Sequence, residues 1–271
     1  MDKKLVLFDD NISKDSCSKQ EQKTRIIIRD PETGETLFDG HNKVIVAGSA
    51  FTAAKHFNIT PHALTPTYNE VLALENSDVD RFNEPGIRRD EIVCLFAVGI
   101  DGCGPEASQV YDVDYTKWIA PESLIPFKYQ LKTNDLPTYH RDKYFGRKTI
   151  GNRIAYYFKA FENEPTFNQV YSDGTPIDEN IYTSSRKDEV ESYIEINLKL
   201  TKQDCRDFFL SNVGINEAKV NTISLLTAYP VEKDDGFIYY QNIRPLTKLN
   251  FPSEPLIDTS KGLDIIYHIY Y

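Results

Sequence analysis

The sequence has little positive charge and no long apolar run. Thirty-one Lys and Arg residues stand against forty-one Asp and Glu residues, so the 271-residue chain has a formal net charge of −10. A chain this acidic has no general attraction to phosphate, which argues against nucleic acid as its main partner. The longest apolar stretch, Ile92 to Ile100, has half the length of the roughly 18 residues that a membrane helix needs. We therefore expect a protein that neither binds a specific nucleic acid nor spans a membrane.

Cysteine is also scarce. The four cysteines lie far apart and form no CxxC pair: Cys17, Cys94, Cys103 and Cys205. A chain of this length can build a large core without disulfide bonds, so we expect reduced thiols. The basic opening Met1 to Lys4 precedes an apolar run of only four residues, which is too short for a signal peptide.

Tyrosine and phenylalanine are abundant instead. The chain has 17 Tyr and 15 Phe, against one Trp and one Met. Both residue types favour strands, and tyrosine is enriched at protein interfaces. An AT-rich genome would produce the same excess, so the composition leaves both explanations open.

The first third of the chain predicts a hairpin and two helices. The β-branched run Arg25 to Arg29 is followed by a turn with Pro31 and Gly34 and by a second short run. Apolar residues spaced by three and four predict a helix from Val44 to Asn58. The capping-box pattern Thr67 to Glu70 predicts a short helix that ends near Leu74.

Strands dominate the remainder. Glu91 to Val98 is apolar on both faces, as in a central strand. Tyr193 to Leu200 and Leu263 to Tyr271 alternate strictly, which predicts one buried face for each. A third helix is expected over Lys202 to Leu210. Further strands are expected at Pro126–Leu131, Arg153–Phe161, Val220–Tyr229 and Gly236–Asn242.

A long loop interrupts this pattern. Three glycines and a proline between Gly99 and Pro105 favour a loop, and turn-rich sequence continues from Glu106 to Thr138. Loops longer than about 15 residues are usually functional or disordered. We therefore predict that residues 99–131 form an assembly arm.

No repeat, low-complexity tract or Gly/Ser linker divides the chain. The predicted organisation is an N-terminal extension at residues 1–24, partly flexible, followed by a single β-rich domain at residues 25–271. The expected fold class is mainly β (α+β): an antiparallel β-sandwich with a few short helices and a long inserted loop or arm.

Motifs for cofactors and metals are incomplete. Gly34 to Gly40 lacks the Lys and hydroxyl residue of a phosphate loop, and Pro105 replaces the helix that a dinucleotide fold needs after its glycines. The Asp112/Asp114 and Asp78/Asp80 pairs lack the Gly and Glu of an EF-hand loop. The His and Cys residues are not paired as zinc ligands are: His56, His62, Cys94 and Cys103. We predict no cofactor and no bound metal.

Catalytic patterns are equally weak. Asp101 beside Gly102, or Glu162 with Glu164, could serve a hydrolase, but forty-one acidic residues make such pairs inevitable. No Ser lies in a Gly-x-Ser-x-Gly elbow, and Cys94 is expected inside a strand. The sequence therefore favours a protein that is not an enzyme.

Four short segments occur in a distinctive order. They are Asp39 to Gly48; Phe96 to Gly99 with Asp101 to Gly104; Leu124 to Tyr129; and Ile215 to Ala218 followed by Ile243 to Lys248 and the last strand. In this order they resemble segments of structural proteins from the virions of tailed bacteriophages, with the ring proteins of crAss-like phages as one comparison. Lys128 stands where that group has an Arg in an Ile-Pro-Phe-Arg segment.

This resemblance implies a β-rich subunit that performs no chemistry. It would join a homo-oligomer with cyclic symmetry, six- or twelve-fold, in the neck, tail or baseplate of a virion assembled in the host cytoplasm. Its partners would be portal, ring, tail or baseplate proteins. The candidate interface residues are Tyr111, Tyr115, Trp118, Phe127, Lys128 and Tyr129.

Two other classes of function stay open. A receptor-binding or carbohydrate-binding module would use exposed Tyr rings as platforms, and a cell-wall hydrolase would use a pair of acids. Simple packing of the long loop would equally account for Tyr111, Tyr115 and Trp118.

Overall fold

The computed structural model describes most of the chain from Thr24 to Tyr270. The described residues are 24–41, 43–57, 67–75, 91–106, 109–114, 116–134, 136–171, 173–177, 190–212, 214, 218–232, 236, 238–255 and 262–270. The expected N-terminal extension, apart from Thr24, lies outside the described residues.

Strands make up just over half of the structure and helices about an eighth, so the fold is mainly β, as the sequence predicts. The helices are α1 (Val46–Phe57), α2 (Tyr68–Val71) and α3 (Arg206–Asn212). The strands are β1 (Thr24–Arg29), β2 (Thr36–His41), β3 (Lys43–Val44), β4 (Ile92–Gly99), β5 (Leu124–Ile125), β6 (Lys128–Leu131), β7 (Tyr144–Ile150), β8 (Arg153–Ala160), β9 (Thr166–Tyr171), β10 (Val190–Leu200), β11 (Lys219–Glu232), β12 (Ile238–Pro245), β13 (Thr247–Pro255) and β14 (Leu263–Tyr270).

The strands form two antiparallel sheets. The smaller sheet has the order β2-β1-β14-β10-β9. The larger sheet has nine strands, with the path β3-β13-β11-β4-β8-β6, and β12, β5 and β7 pair with β11, β4 and β8 respectively. The 14-residue strand β11 is the backbone of the larger sheet, because it pairs with β4 on one side and with both β12 and β13 on the other.

The main hydrophobic core lies between the two sheets. The smaller sheet contributes buried side chains such as Ile26 and Tyr267, and the larger sheet contributes Phe96, Val98 and Ile223. The alternation predicted for the last strand is confirmed, since its core-facing residues are all buried: Leu263, Ile265, Tyr267 and Ile269. Burial of each such side chain stabilises the fold by about 1.5–3 kcal/mol.

A second core covers the other face of the larger sheet. Successive residues of β4 alternate between the two cores, with Phe96 in the first and Leu95 and Ala97 in the second. The second core is centred on Tyr68 of α2, which is fully buried and donates its hydroxyl hydrogen to the carbonyl of Ile119 at 3.0 Å. The central, doubly buried strand predicted from residues 91–98 is therefore confirmed.

Local signals in the sequence account for several elements. The Thr67 side chain accepts from the backbone N–H of Glu70, whose carboxylate accepts from Thr67 N at 2.8 Å, so the predicted capping box is formed. Gly34 adopts a positive φ of 72° in the turn between β1 and β2, which confirms the predicted hairpin. Helix α1 also lies within the range predicted for it.

The structure differs from the sequence expectation in several strands and in the predicted arm. Strands β3, β5, β7, β9 and β13 are not predicted, and Val44, expected at the start of the helix, lies in β3. Strands β7, β9 and β13 each carry a residue that weakens a strand pattern: Gly146, Asn168 and Pro252. The predicted arm, residues 99–131, contains β5 and β6. Its second half is part of the folded body, since Ile119, Leu124 and Ile125 are at most 3 % exposed.

An interior ion pair joins the two sheets. The Lys159 Nζ lies 3.0 Å from Oδ2 of Asp204, and these side chains are 1 % and 0 % exposed. Lys159 also donates to the carbonyl of Lys199 in β10 at 2.6 Å, and Asp204 accepts from the Tyr144 hydroxyl at 2.6 Å. Because Lys159 belongs to β8 of the larger sheet, these bonds connect the sheets through charged groups.

We predict that Lys159→Ala lowers the free energy of unfolding by about 3–5 kcal/mol, because Asp204 is left buried without its counter-charge. Urea denaturation measures the loss. The matched control is Lys117→Ala, since Lys117 lies 3.1 Å from Asp114 but the two side chains are 75 % and 45 % exposed. The control should cause no measurable change. Equal losses in the two variants would contradict the prediction.

Candidate functional site

Three of the six interface candidates are interior residues. Phe127 is 1 % exposed and packs edge-on against Phe96, with ring centroids 5.1 Å apart. Lys128 is buried with its Nζ 5.0 Å from the ring centre of Tyr144, and Tyr129 is buried on β6. These three side chains attach β6 to the rest of the fold, so they offer no surface to a partner in this structure.

The other three candidates belong to the loop after β4. Trp118 stacks on the buried ring of Tyr68 at a centroid distance of 4.6 Å. Tyr111 is 48 % exposed, and Tyr115 lies outside the described residues. Tyr111 is therefore the predicted residue that the structure places at the surface.

Buried polar bonds hold the base of this loop. Asp101 forms an ion pair with Lys248 at 3.0 Å and accepts from the Thr222 hydroxyl at 2.9 Å. The backbone N–H of Gly102 donates to Oδ1 of Asn221 at 2.8 Å. A methyl group at Gly102 would overlap the carbonyl oxygen of Asn221, which explains the glycine. Asp101, considered above as a catalytic acid, thus serves as an anchor for the loop.

The same bonds support the turn that carries Tyr111. Its backbone N–H donates to the carbonyl of Gly102 at 2.8 Å, and its carbonyl accepts from the Asn250 side chain at 3.0 Å. Gly104 N donates to the carbonyl of Gln109 at 2.8 Å. These bonds form a tight backbone turn, so the exposed Tyr111 is held in a defined position.

A basic segment lies elsewhere on the larger sheet. Residues 128–153 contain seven Lys or Arg and two Asp, a net charge of +5 in a chain of net charge −10. Lys128 is buried and Arg147 is paired with Glu75, so its exposed cations include Lys132, Arg141 and Lys143. Apolar side chains are exposed in the same segment, including Tyr139 at 69 % and Leu131 at 43 %. Exposed arginine and tyrosine together are typical of binding surfaces.

A pocket of about 220 Å³ opens between β7 and β12. Its lining residues are aromatic, cationic and aliphatic, with one acid: Glu75, Leu136, Arg141, Tyr144, Phe145, Arg147, Tyr156, Ile238, Tyr239 and Tyr240. Phe145 and Tyr240 meet edge to face with ring centroids 4.6 Å apart, which joins the two strands at the pocket. We call this the Tyr/Arg pocket.

Glu75 positions one of the two arginines. Its carboxylate forms an ion pair with Arg147 and also accepts from Thr149 N at 2.7 Å. Its backbone N–H donates to the carbonyl of Arg147 at 2.8 Å. Glu75 therefore hydrogen-bonds to backbone groups on the edge of β7 that does not face β8. It also holds the guanidinium group of Arg147 at the pocket.

Burial shifts the pKa of two tyrosines that line the pocket and of the nearby His140. Burial and the nearby Asp204 raise the pKa of Tyr144 above its usual value. Burial and Cys94 raise the pKa of Tyr240. For His140, burial and the adjacent Lys128 lower the pKa. The Tyr144 hydroxyl already donates to Asp204 and the Tyr240 hydroxyl is hydrogen-bonded to Cys94, so the arginines are the charged donors of the pocket.

Sequence reasoning missed this pocket. Its residues come from four separate stretches of the chain, and tyrosine and arginine at such distances form no motif. The excess of positive charge over residues 128–153 is the one local signal that could have drawn attention to it.

The outer face of the smaller sheet carries a second aromatic cluster. The Tyr193 ring lies 5.3 Å from that of Tyr270 and 4.7 Å from that of His268. His268 Nε2 lies 3.1 Å from Oε2 of Glu195. The neighbouring Arg25 holds the pKa of Asp39 below its usual value through a direct hydrogen bond.

Thiols and acids suggested as catalytic groups have structural partners or are protonated. Burial raises the pKa of Cys94 to about 12 and that of Cys205 well above its usual value. Glu162 lies 3.2 Å from the Lys159 ammonium, and Glu164 is exposed. The described cysteines, Cys94, Cys103 and Cys205, form no disulfide among themselves, and Cys17 lies outside the described residues.

Within the described ranges, no three His, Cys, Asp or Glu side chains are grouped so that they could hold a metal ion. The helices of that same part are too short or too polar to cross a membrane. Comparison with protein families, with curated proteins and with solved structures finds no match to this chain.

We predict that Cys94 reacts with iodoacetamide at pH 8 about a thousandfold more slowly in the folded protein than in urea. The thiolate is the reactive form, and a pKa of about 12 leaves very little of it at pH 8. Peptide mass spectrometry after timed labelling measures the rate, with the urea-unfolded chain as the control. Rapid labelling of Cys94 in the native state would contradict the burial described here.

Proposed function

We propose that this protein is a non-enzymatic structural subunit of a tailed-phage virion. It would form a symmetric ring or connector in the neck or tail region through contacts between its own copies and with portal, ring, tail or baseplate proteins. The observation that carries this proposal is the basic segment of residues 128–153, with its Tyr/Arg pocket, in an otherwise strongly acidic chain. Such a charge distribution favours specific association of acidic and basic surfaces.

The segments that resemble phage structural proteins contact one another in the larger sheet. Val98 pairs with Ile125 between β4 and β5, and Val44 pairs with Thr247 between β3 and β13. The Asp101–Lys248 ion pair joins the second and fourth segments. Residues that converge in this way determine how the larger sheet is built.

The state of the acids and thiols supports a role without catalysis. Asp101 and Glu162 are engaged by lysines, and the Cys94 thiol is protonated near neutral pH because its pKa is about 12. A nucleophile or general base needs the opposite arrangement, with a pKa matched to the working pH.

We predict that the full chain forms a closed oligomer of defined size at low ionic strength, six- or twelve-fold, which dissociates as salt screens the charged surfaces. Native mass spectrometry and negative-stain electron microscopy measure this. Mass spectrometry of purified phage particles should also detect the chain. A monomer at every concentration, together with absence of the chain from particles, would overturn the proposal.

A receptor-binding or carbohydrate-binding module is the second candidate, and the aromatic cluster on the smaller sheet favours it. Tyr193, Tyr270 and His268 form a half-buried aromatic surface beside the carboxylates of Glu195 and Asp39. Aromatic faces with nearby polar groups suit ligands that are apolar on one side and hydroxylated on the other.

If this second candidate is right, the chain binds host cells or a glycan array, and Tyr193→Ala reduces that binding at least tenfold. Leu210→Ala is the control, because Leu210 is 52 % exposed in α3 and belongs neither to the aromatic cluster nor to the Tyr/Arg pocket. Absence of binding to cells and glycans would exclude the candidate.

A further inference from the structure

We propose that copies of this chain associate head to tail, with Tyr111 of one copy inserted into the Tyr/Arg pocket of the next. This inference rests on the self-assembly proposed above and names the surfaces that would produce it. The occupant of the pocket is therefore a second copy of the same chain.

Tyr111 is exposed on a turn whose backbone is held in place, which suits a side chain that inserts into a partner. Tyr111 and Val110 are 48 % and 38 % exposed, and the acids Asp112 and Asp114 beside them are exposed as well. The hydrogen bonds from Asn250 and to Gly102 hold the backbone of the turn. A turn whose backbone is already held loses less conformational freedom on binding than a mobile one.

The pocket suits one side chain rather than a metabolite. Its volume of about 220 Å³ is below the range of about 300–1,000 Å³ that is typical of small-molecule sites. Tyr156, Tyr240 and Phe145 offer aromatic contacts for an entering tyrosine ring. Tyrosine and arginine are also the residues most enriched at the energetic centres of protein interfaces.

Charge complementarity identifies the partner. Around the Tyr111 turn, Asp101 and Asp114 are paired with lysines, and the exposed acids Glu106, Asp112 and Glu122 form no ion pair with any described residue. Around the pocket, Lys128 is buried and Arg147 is paired with Glu75, and the exposed cations are Lys132, Arg141 and Lys143. Asp112 and Asp114 of one copy would approach Arg141 and the basic rim of the next. Two surfaces with charge of the same sign would repel each other. Contact between the acidic surface of one copy and the basic surface of another is therefore favoured.

The two surfaces lie at opposite ends of β11, which makes the contact head to tail. Asn250, which supports Tyr111, pairs with Thr222 near the start of β11. Ile238, at the edge of the pocket, pairs with Glu232 at its end. Ten residues of strand at about 3.3 Å per residue separate these points by about 30 Å. A contact between two different surfaces repeats from copy to copy and closes into a ring when the rotation allows it.

The experiment uses one variant for each surface. Tyr111→Ala removes the inserted side chain but leaves the pocket, and Ile238→Glu adds a negative charge at the pocket edge but leaves the turn. Ile238 is 46 % exposed, so this change does not disturb the core. The control is Phe167→Glu, at a residue that is 59 % exposed on β9 of the other sheet.

We expect each surface variant alone to weaken self-association at least tenfold in sedimentation velocity, while Phe167→Glu assembles like the wild type. An equimolar mixture of the two surface variants should form dimers and nothing larger, because only one intact contact can be made. Circular dichroism and thermal melting check that each variant is folded.

The outcomes separate this inference from the proposed function. A wild-type chain that stays monomeric overturns both. A wild type that assembles, with either surface variant assembling equally well, overturns the head-to-tail contact and leaves the proposed assembly standing. A mixture that gives no dimers, or that restores full rings, likewise overturns it.

Discussion

The central strands β4 and β11 are buried on both faces over residues 95–99 and 220–228, and every polar group there needs a partner inside the protein. Asn221, Thr222 and Ser224 are at most 1 % exposed. Thr222 donates to Asp101 at 2.9 Å, and Ser224 donates to the carbonyl of Thr247 at 2.5 Å. An unpaired buried polar group costs several kcal/mol at worst, so these bonds restrict which segments can lie beside β11.

The position of both proposed surfaces follows from this constraint. The partners of the buried polar groups belong to the loop after β4 and to β13, and they support the Tyr111 turn. At the other end of the sheet, buried Glu91 accepts from Arg244 at 2.9 Å and from Asn242 at 3.1 Å, which holds β12. Asn242 has a positive φ of 53° at this point. The Tyr111 turn and the Tyr/Arg pocket are thus connected through the partners of β11, one near each end of the strand.

Much of the fold could be predicted because periodicity is a local property. The alternation in β10 and β14, the doubly apolar β4 and the capping box at Thr67 are each visible within ten residues. The edge strands β7 and β9 could not be predicted, since exposure on one side permits polar residues and a glycine. Of the two surfaces, only Tyr111 was indicated by the sequence. The pocket combines residues as far apart in the sequence as Glu75 and Tyr240. Which residues line it depends on the pairing of strands that are distant in the chain, and local periodicity does not reveal that pairing.

The place of β14 determines when the smaller sheet can form during synthesis. Its neighbours are β1 and β10, and Thr24 pairs with Ile269 across the sheet. At about 5–20 residues per second, β1 leaves the ribosome roughly 10–50 s before β14 exists. During that interval β1 can pair with β2, as Ile26 does with Gly40, but its other edge has no partner strand. Nascent chains are therefore most exposed to aggregation before the last strand emerges, and chaperones that shield β1 would act in that window.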